Sequence, residues 1–240
     1  MAIRLKALFL QTCLTLCASR IIIYTMKAII FDLDGVIVHT DTYHYKAWKK
    51  LADRLGVYFD EKINNRLRGV SRMESLDIVL ENSGFAKLSI TEKEKLATEK
   101  NETYKDFLQA MNPADLSPQV LGALDCLKKR GYKMAIGSSS RNARLILEKI
   151  GLGDYFDAIS DGNNITRSKP DPEVFLKAAE YLGLRPEECV VVEDAKAGIE
   201  AALAAKMKAI AMGDAAGCSR ADWDIENFED ILNILVPVVG

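Results

Sequence analysis

An α/β fold, a Rossmann-like parallel sheet with an inserted α-helical unit, is predicted by three observations. Short apolar runs that end in Gly, Ser or acidic residues recur along the chain, separated by helix-periodic stretches. One long segment, 40–113, carries helical patterns and no convincing strand. A length of 240 residues allows one sizeable core and a smaller second unit, not several domains.

The elements follow in order. Strands are expected near 27–31, 132–137, 156–159, 189–193 and 208–212, with helices between them. Within the insertion, Thr42–Leu55 puts His44, Trp48, Leu51 and Leu55 on one stripe and closes at Gly56. The polar stretch 91–108 reads as a further helix with Leu96, Tyr104 and Leu108 inward. A helix over 142–150 stops at Gly151. Over 171–182, Asp171 can cap, Pro172 suits the first turn, and Val174, Phe175, Ala178, Ala179 and Leu182 form an apolar face ending at Gly183. The expected division is therefore an α/β core of 26–39 and 114–240, a helical cap of 40–113, and a separate extension of 1–25.

Composition excludes some functions. The formal charge of −2 and the lack of a dense Lys/Arg run argue against a nucleic-acid partner. Cys13, Cys17, Cys126, Cys189 and Cys218 form no CxxC pair and no zinc spacing, as reduced thiols of a cytoplasmic protein would. Arg4 and Lys6 before the apolar stretch Ala7–Ala18 read either as a signal-like segment or as the result of an upstream start codon before Met26. The missing disulfide pattern favours the second. That stretch is too short to span a bilayer, so no membrane partner is expected.

Four groups of residues carry chemistry, each at the exit of an expected strand, the edge where open α/β sheets bind ligands. Asp32 and Asp34, in Phe31-Asp32-Leu33-Asp34-Gly35, can supply an attacking carboxylate and a proton-exchanging partner. Taken alone this could be an Asp-Gly turn. Ser138, Ser139 and Ser140 follow an apolar run and precede a helix start, where hydroxyls and amides can hold phosphoryl oxygens, or merely cap the helix. Lys169, before Pro170-Asp171-Pro172, offers a compact positive charge. Glu193 and Asp194 end the run Val190–Val192 as hard oxygen donors suited to Mg²⁺.

Weak singly, the four are specific in this order. From Met26 to about Met212 the chain resembles a phosphotransferase of the haloacid dehalogenase superfamily. The resemblance implies that fold, Asp32 as the nucleophile, Asp34 as acid/base, Ser138 as phosphate binder, Lys169 as charge balance, and Mg²⁺ held by Asp32, Asp34 (through its carbonyl), Glu193 and Asp194. Thr40–Trp48, Arg68-Gly69-Val70-Ser71-Arg72-Met73-Glu74-Ser75-Leu76, Lys100-Asn101 and Ser138–Asn142 closely resemble the β-phosphoglucomutase family. That implies interconversion of β-D-glucose 1-phosphate and glucose 6-phosphate through glucose 1,6-bisphosphate, by a monomer acting on small sugar phosphates.

A mutase must grip one phosphate while it transfers the other, so it needs a second anion site. Arg72 can provide a bidentate grip, with Ser140 and Asn142 from the core. Gly69, Val70 and Ser71 can let backbone approach the sugar. Thr40, His44, Trp48, Ser75, Lys100, Ser139 and Arg141 complete the expected substrate set. Each has a plainer reading: His44 and Trp48 as core, Lys100 as a solvated charge, Arg72 as an ion-pair partner of Glu74 or Asp77. His39, where the family usually has Asp, and Arg68 and Arg141, where Lys is common, are departures from the pattern. Two rivals stay open: a sugar-phosphate phosphatase of the same superfamily, and a non-catalytic sugar-phosphate sensor.

Overall fold

The computed structural model describes residues 26–67, 70–217 and 220–238. The extension 1–25, with Cys13 and Cys17, and Arg68, Gly69 and Cys218 lie outside them. Six strands form one sheet in the order β3-β2-β1-β4-β5-β6: β1 Ala28–Phe31, β2 Lys133–Gly137, β3 Ala158–Ser160, β4 Cys189–Glu193, β5 Lys208–Ala211 and β6 Trp223–Asp224. Every pairing is parallel. Five strands match the sequence reading; the two-residue β6 carries no periodic signal.

Parallel strands need both faces covered, and their composition reflects it. β1 and β4 are buried at every position. One face packs Ile29, Phe31, Met134, Ile136, Val190 and Val192 into a core with Leu124, Leu127, Ile146 and Leu147. The other packs Ile30, Ala135 and Val191 against Val174, Phe175, Ala178, Ile199 and Ala202. The helices that supply these side chains are α5 (Pro118–Lys129) and α6 (Ala143–Lys149) on one face, and α7 (Glu173–Leu182) and α8 (Lys196–Ala204) on the other. A short α9, Ile231–Ile234, closes the chain against α5.

Between β1 and β2 the described residues contain helices only: α1 Asp41–Leu55, α2 Glu61–Asn65, α3 Arg72–Leu80 and α4 Ile90–Leu108. They enclose a third cluster around Trp48, Leu51, Phe59, Leu76, Leu80 and Ala97. α1 and α4 pack along each other. Both also reach the sheet side, because Ala47, Tyr104 and Leu108 belong to the first core. Ser71 and Ser89 start α3 and α4 with reciprocal capping boxes. α7 begins two residues later than its sequence pattern suggests, yet Asp171 still accepts the Glu173 amide at 3.0 Å.

Candidate functional site

The strand order reverses direction between β1 and β4, so a crevice opens above their carboxyl ends. Asp32 leaves β1 into it, its amide donating to Val192 O at 2.9 Å. The next turn folds back tightly: Gly35 has φ +92° and donates to Val38 O at 2.9 Å. A Cβ on Gly35 would lie 2.0 Å from Asp194 Oδ2, so the Asp194 carboxylate rests in the space that the glycine leaves.

Asp34 is held on both oxygens by Thr40, whose amide donates to Oδ1 at 2.8 Å and whose hydroxyl donates to Oδ2 at 2.6 Å. The buried Tyr104 hydroxyl donates to Thr40 Oγ1 at 2.9 Å, which fixes the direction of the Thr40 proton. Burial raises the Asp34 pKa despite these donors.

Lys169, 6 % exposed, donates to both Asp32 and Glu193. Glu193 also accepts the Ala195 amide at 2.9 Å, so each of its carboxylate oxygens has a protein donor. Burial raises the Asp32 pKa, and the Lys169 ammonium opposes that rise. Burial and then the charges of Asp32, Glu193 and Asp34 push Asp194 up to about 8. Four carboxylates thus face one ammonium, a balance that suits a further cation. Among the described residues no three His, Cys, Asp or Glu side chains form a ready metal cage. A donor set of that kind suits Mg²⁺, which binds through one or two carboxylates and keeps waters and phosphate oxygens as its other ligands.

The β2 loop lies alongside. Ser138, 2 % exposed, accepts the Ser140 amide at 3.1 Å, and Ser140 Oγ accepts the Asn142 amide at 3.2 Å. The Ser139 hydroxyl is buried without a partner among the described residues. Asn142 begins α6 without capping it; its side chain donates instead to Asn101 of α4 at 2.9 Å.

Above the crevice, Lys100 is 3 % exposed and lies 4.7 Å from the ring centres of both Trp48 and Tyr104. Its ammonium is 2.8 Å from His44 Nδ1. Burial lowers the His44 pKa well below the usual value, so its ring is neutral. Nδ1 then accepts from Lys100, and the protonated Nε2 faces Asp34 Oδ2 at 3.9 Å. His44 stacks on Tyr104 at 4.0 Å. Burial, then the charge of Arg72, lowers Lys100 to about 7.

Arg72 opens α3. Its pKa is lowered by burial and then by Arg141 of the β2 loop, so the two guanidinium groups stand within electrostatic reach of each other. The carboxylates suggested as its plainer partners are engaged elsewhere: Glu74 accepts the Ser71 amide at 2.9 Å, and Asp77 pairs with Lys93 at 2.6 Å. Ser71 is committed to capping, Ser75 is buried in α3, and Val70 is half-buried. Trp48, 2 % exposed, lies under Lys100 within the third cluster.

A family model, haloacid dehalogenase-like hydrolase, matches residues 26–206. β-Phosphoglucomutase of Bacillus subtilis is 41 % identical over 207 residues, covering 86 % of this chain and 92 % of its own. The chain belongs to the haloacid dehalogenase-like hydrolases, in the β-phosphoglucomutase group. The crystal structure of a Clostridium difficile β-phosphoglucomutase superposes with TM-score 0.80 at 38 % identity, covering 86 % of this chain and 93 % of that one. A phosphorylated-carbohydrates phosphatase of Thermotoga maritima is 33 % identical, covering 77 % of this chain and 84 % of its own. Some relatives of this haloacid dehalogenase-like chain are thus phosphatases by name.

Three contacts of the site escaped the sequence reading. Tyr104 was legible only as an inward helix position, although it follows Lys100 by one turn. Gly198 sits in an ordinary helix pattern, yet a Cβ there would fall 1.9 Å from the Glu193 carboxylate. Asn101 gave no local signal of its contact with Asn142, which is long-range.

Proposed function

We propose that the chain is a β-phosphoglucomutase that interconverts β-D-glucose 1-phosphate and D-glucose 6-phosphate. The observation that carries the reading is the second positive locus. Arg72 of α3 and Arg141 of the β2 loop lie within electrostatic reach of each other, while Lys169 is engaged with Asp32 and Glu193. A phosphatase needs one phosphate site; a bisphosphate intermediate needs two.

In this reading the phosphoryl group carried on Asp32 passes to the C6 hydroxyl of glucose 1-phosphate while Asp34 takes the hydroxyl proton. The resulting bisphosphate turns over. Asp32 then attacks the phosphorus on the C1 oxygen, that P–O bond breaks, and Asp34 returns the proton to the departing oxygen. Lys169 balances charge on the transferring group, Ser138 holds one of its oxygens, and Arg72 with Ser140, Arg141 and Asn142 grips the distal phosphate. The Asp34 carbonyl, Asp32 and Asp194 would hold Mg²⁺, with Glu193 supporting through Lys169; the ion would polarise phosphoryl oxygens. His44 and Lys100 position Asp34. Residues 40–113 serve as a cap whose closure keeps water from the aspartyl phosphate. The chain acts on small sugar phosphates as a monomer in the cytoplasm, in keeping with the free thiols of Cys126 and Cys189.

The phosphatase reading draws on the Thermotoga maritima relative. One assay separates the two: β-glucose 1-phosphate, Mg²⁺ and a trace of glucose 1,6-bisphosphate, with glucose 6-phosphate and inorganic phosphate followed together. Rapid glucose 6-phosphate with little phosphate is expected. Phosphate release equal to or faster than glucose 6-phosphate formation would overturn the mutase.

A further inference from the structure

A short turn after β3, Asp161-Gly162-Asn163-Asn164, has no part in the chemistry above, yet it meets the Ser138–Asn142 loop at two points, next to a third made by Ser160 at the end of β3. Ser138 N–H donates to Ser160 O at 3.0 Å, Gly162 N–H donates to Ser140 O at 3.1 Å, and Asn163 Nδ2 donates to Arg141 O at 2.9 Å. The two backbones approach so closely that a Cβ on Gly162 would stand 2.4 Å from Ser139 O and 2.9 Å from the Arg141 amide. Only glycine permits that contact without moving one loop.

The turn is itself rigidly tied. Asp161, 2 % exposed, accepts the Asn163 amide at 2.8 Å, and Asn164 Oδ1 accepts the Asp161 amide at 2.9 Å. Lys177 of α7 donates to Asn164 O, and Arg144 of α6 stands 3.6 Å from Asp161 Oδ2. The turn is therefore anchored to helices on both faces of the sheet and presses on the loop between them.

We infer that this turn is a brace for the phosphate-gripping loop, with Gly162 and Asn163 as positioning residues that set where Ser140, Arg141 and Asn142 meet the distal phosphate. The inference rests on the mutase reading for the identity of that phosphate. Its physical content is independent: the bonds fix the carbonyls of Ser140 and Arg141, and so the direction in which the Arg141 and Asn142 side chains leave the backbone. A loop freed of these bonds orders only when ligand binds, and binding is weakened by the cost of that ordering.

The test compares two phosphoryl donors. Acetyl phosphate carries a single phosphoryl group and uses only the Asp32 end of the site; glucose 1,6-bisphosphate also needs the distal grip. For Gly162→Ala the half-saturating bisphosphate concentration for phosphorylating Asp32 should rise about tenfold, as a displaced loop weakens a charge-assisted contact. For Asn163→Ala, which removes one exposed donor without steric strain, the rise should be about threefold. The rate of Asp32 phosphorylation by acetyl phosphate should stay within a factor of two of wild type. Unchanged bisphosphate saturation in Asn163→Ala, or equal slowing with both donors in a variant that still folds, would overturn the brace. Should the wild-type chain release only inorganic phosphate, the mutase reading falls alone; the brace is then judged by the same split, using the KM of the sugar phosphate hydrolysed.

Discussion

Gly198 lacks a side chain because of a carboxylate five residues upstream. Glu193 occupies the space that a Cβ would fill, and from there it donates nothing but accepts from Lys169 and Ala195. Gly198→Ala must push Glu193 aside and with it the lysine that faces Asp32. The expected result is a stability loss of about 1–3 kcal/mol from overpacking, and a kcat reduction larger than that loss explains; thermal unfolding and initial rates together check it. Arg72→Ala should raise the half-saturating bisphosphate concentration about 10- to 100-fold, the usual effect of removing a charged hydrogen-bonding group, with Asp32 phosphorylation by acetyl phosphate unaltered. Of these residues the sequence showed Glu193 as an ionisable group at a strand exit, Lys169 as a charge just before Pro170-Asp171-Pro172, and Arg72 through the resemblance of the motif around it. It could not show Gly198, since a glycine that makes room for a neighbour looks like any other until the neighbour is placed.

At the scale of elements, α7 does more than cover the sheet. Glu173 in its first turn accepts the amides of Thr166 and Arg167 at 2.9 and 2.8 Å and the Thr166 hydroxyl at 2.9 Å, and so clamps the strand-to-helix loop that carries Lys169. Those bonds, the Arg167 amide first, hold its carboxyl at about 2 instead of 4.5. A group with a depressed native pKa stabilises above its unfolded value and loses that effect as pH falls toward the folded one. Glu173→Gln should therefore lower Tm at neutral pH, and the gap to wild type should narrow between about pH 4.5 and 2; a gap that is constant with pH would refute the clamp. Tyr104→Phe should remove the donor that orients Thr40 and slow turnover about fivefold, matching roughly 1 kcal/mol for one hydrogen bond, with Asp32 still phosphorylated by acetyl phosphate. Helices α1, α4, α6 and α7 were legible from apolar positions at helical spacing and five strands as short apolar runs, whereas the five-residue α2 buries no side chain and carries no such pattern. β6 was not legible either, being held by its two pairings with β5 and not by a pattern of its own.

Across the whole molecule, the sheet order brings the exits of β1, β2 and β4 together, and the four motifs met in sequence converge as the parallel pattern implies. Chelation of divalent cations should abolish turnover and leave the melting transition cooperative, because Lys169 donates to both Asp32 and Glu193 and balances their charge within the fold; Mg²⁺ should restore activity. The joining of insertion and core was less legible. α4 looks like one helix of the insertion, yet its first half packs Ala97 among the cap residues and its second half packs Tyr104 and Leu108 into the sheet core. Lys100 and Asn101 sit where one environment gives way to the other.

That division of α4 sets a rule for recombination. The insertion leaves and rejoins the core through two chain crossings, which suggests a cassette that could be traded between relatives to change the sugar accepted. An exchange carried past Tyr104 would put foreign residues at Tyr104, Leu108 and Met111 in the sheet core and put the donor to Thr40 at risk, so exchanged segments should end before Tyr104. Chimeras joined between Asn101 and Tyr104 should fold, and those in which the exchange runs through Met111 should unfold at a lower temperature.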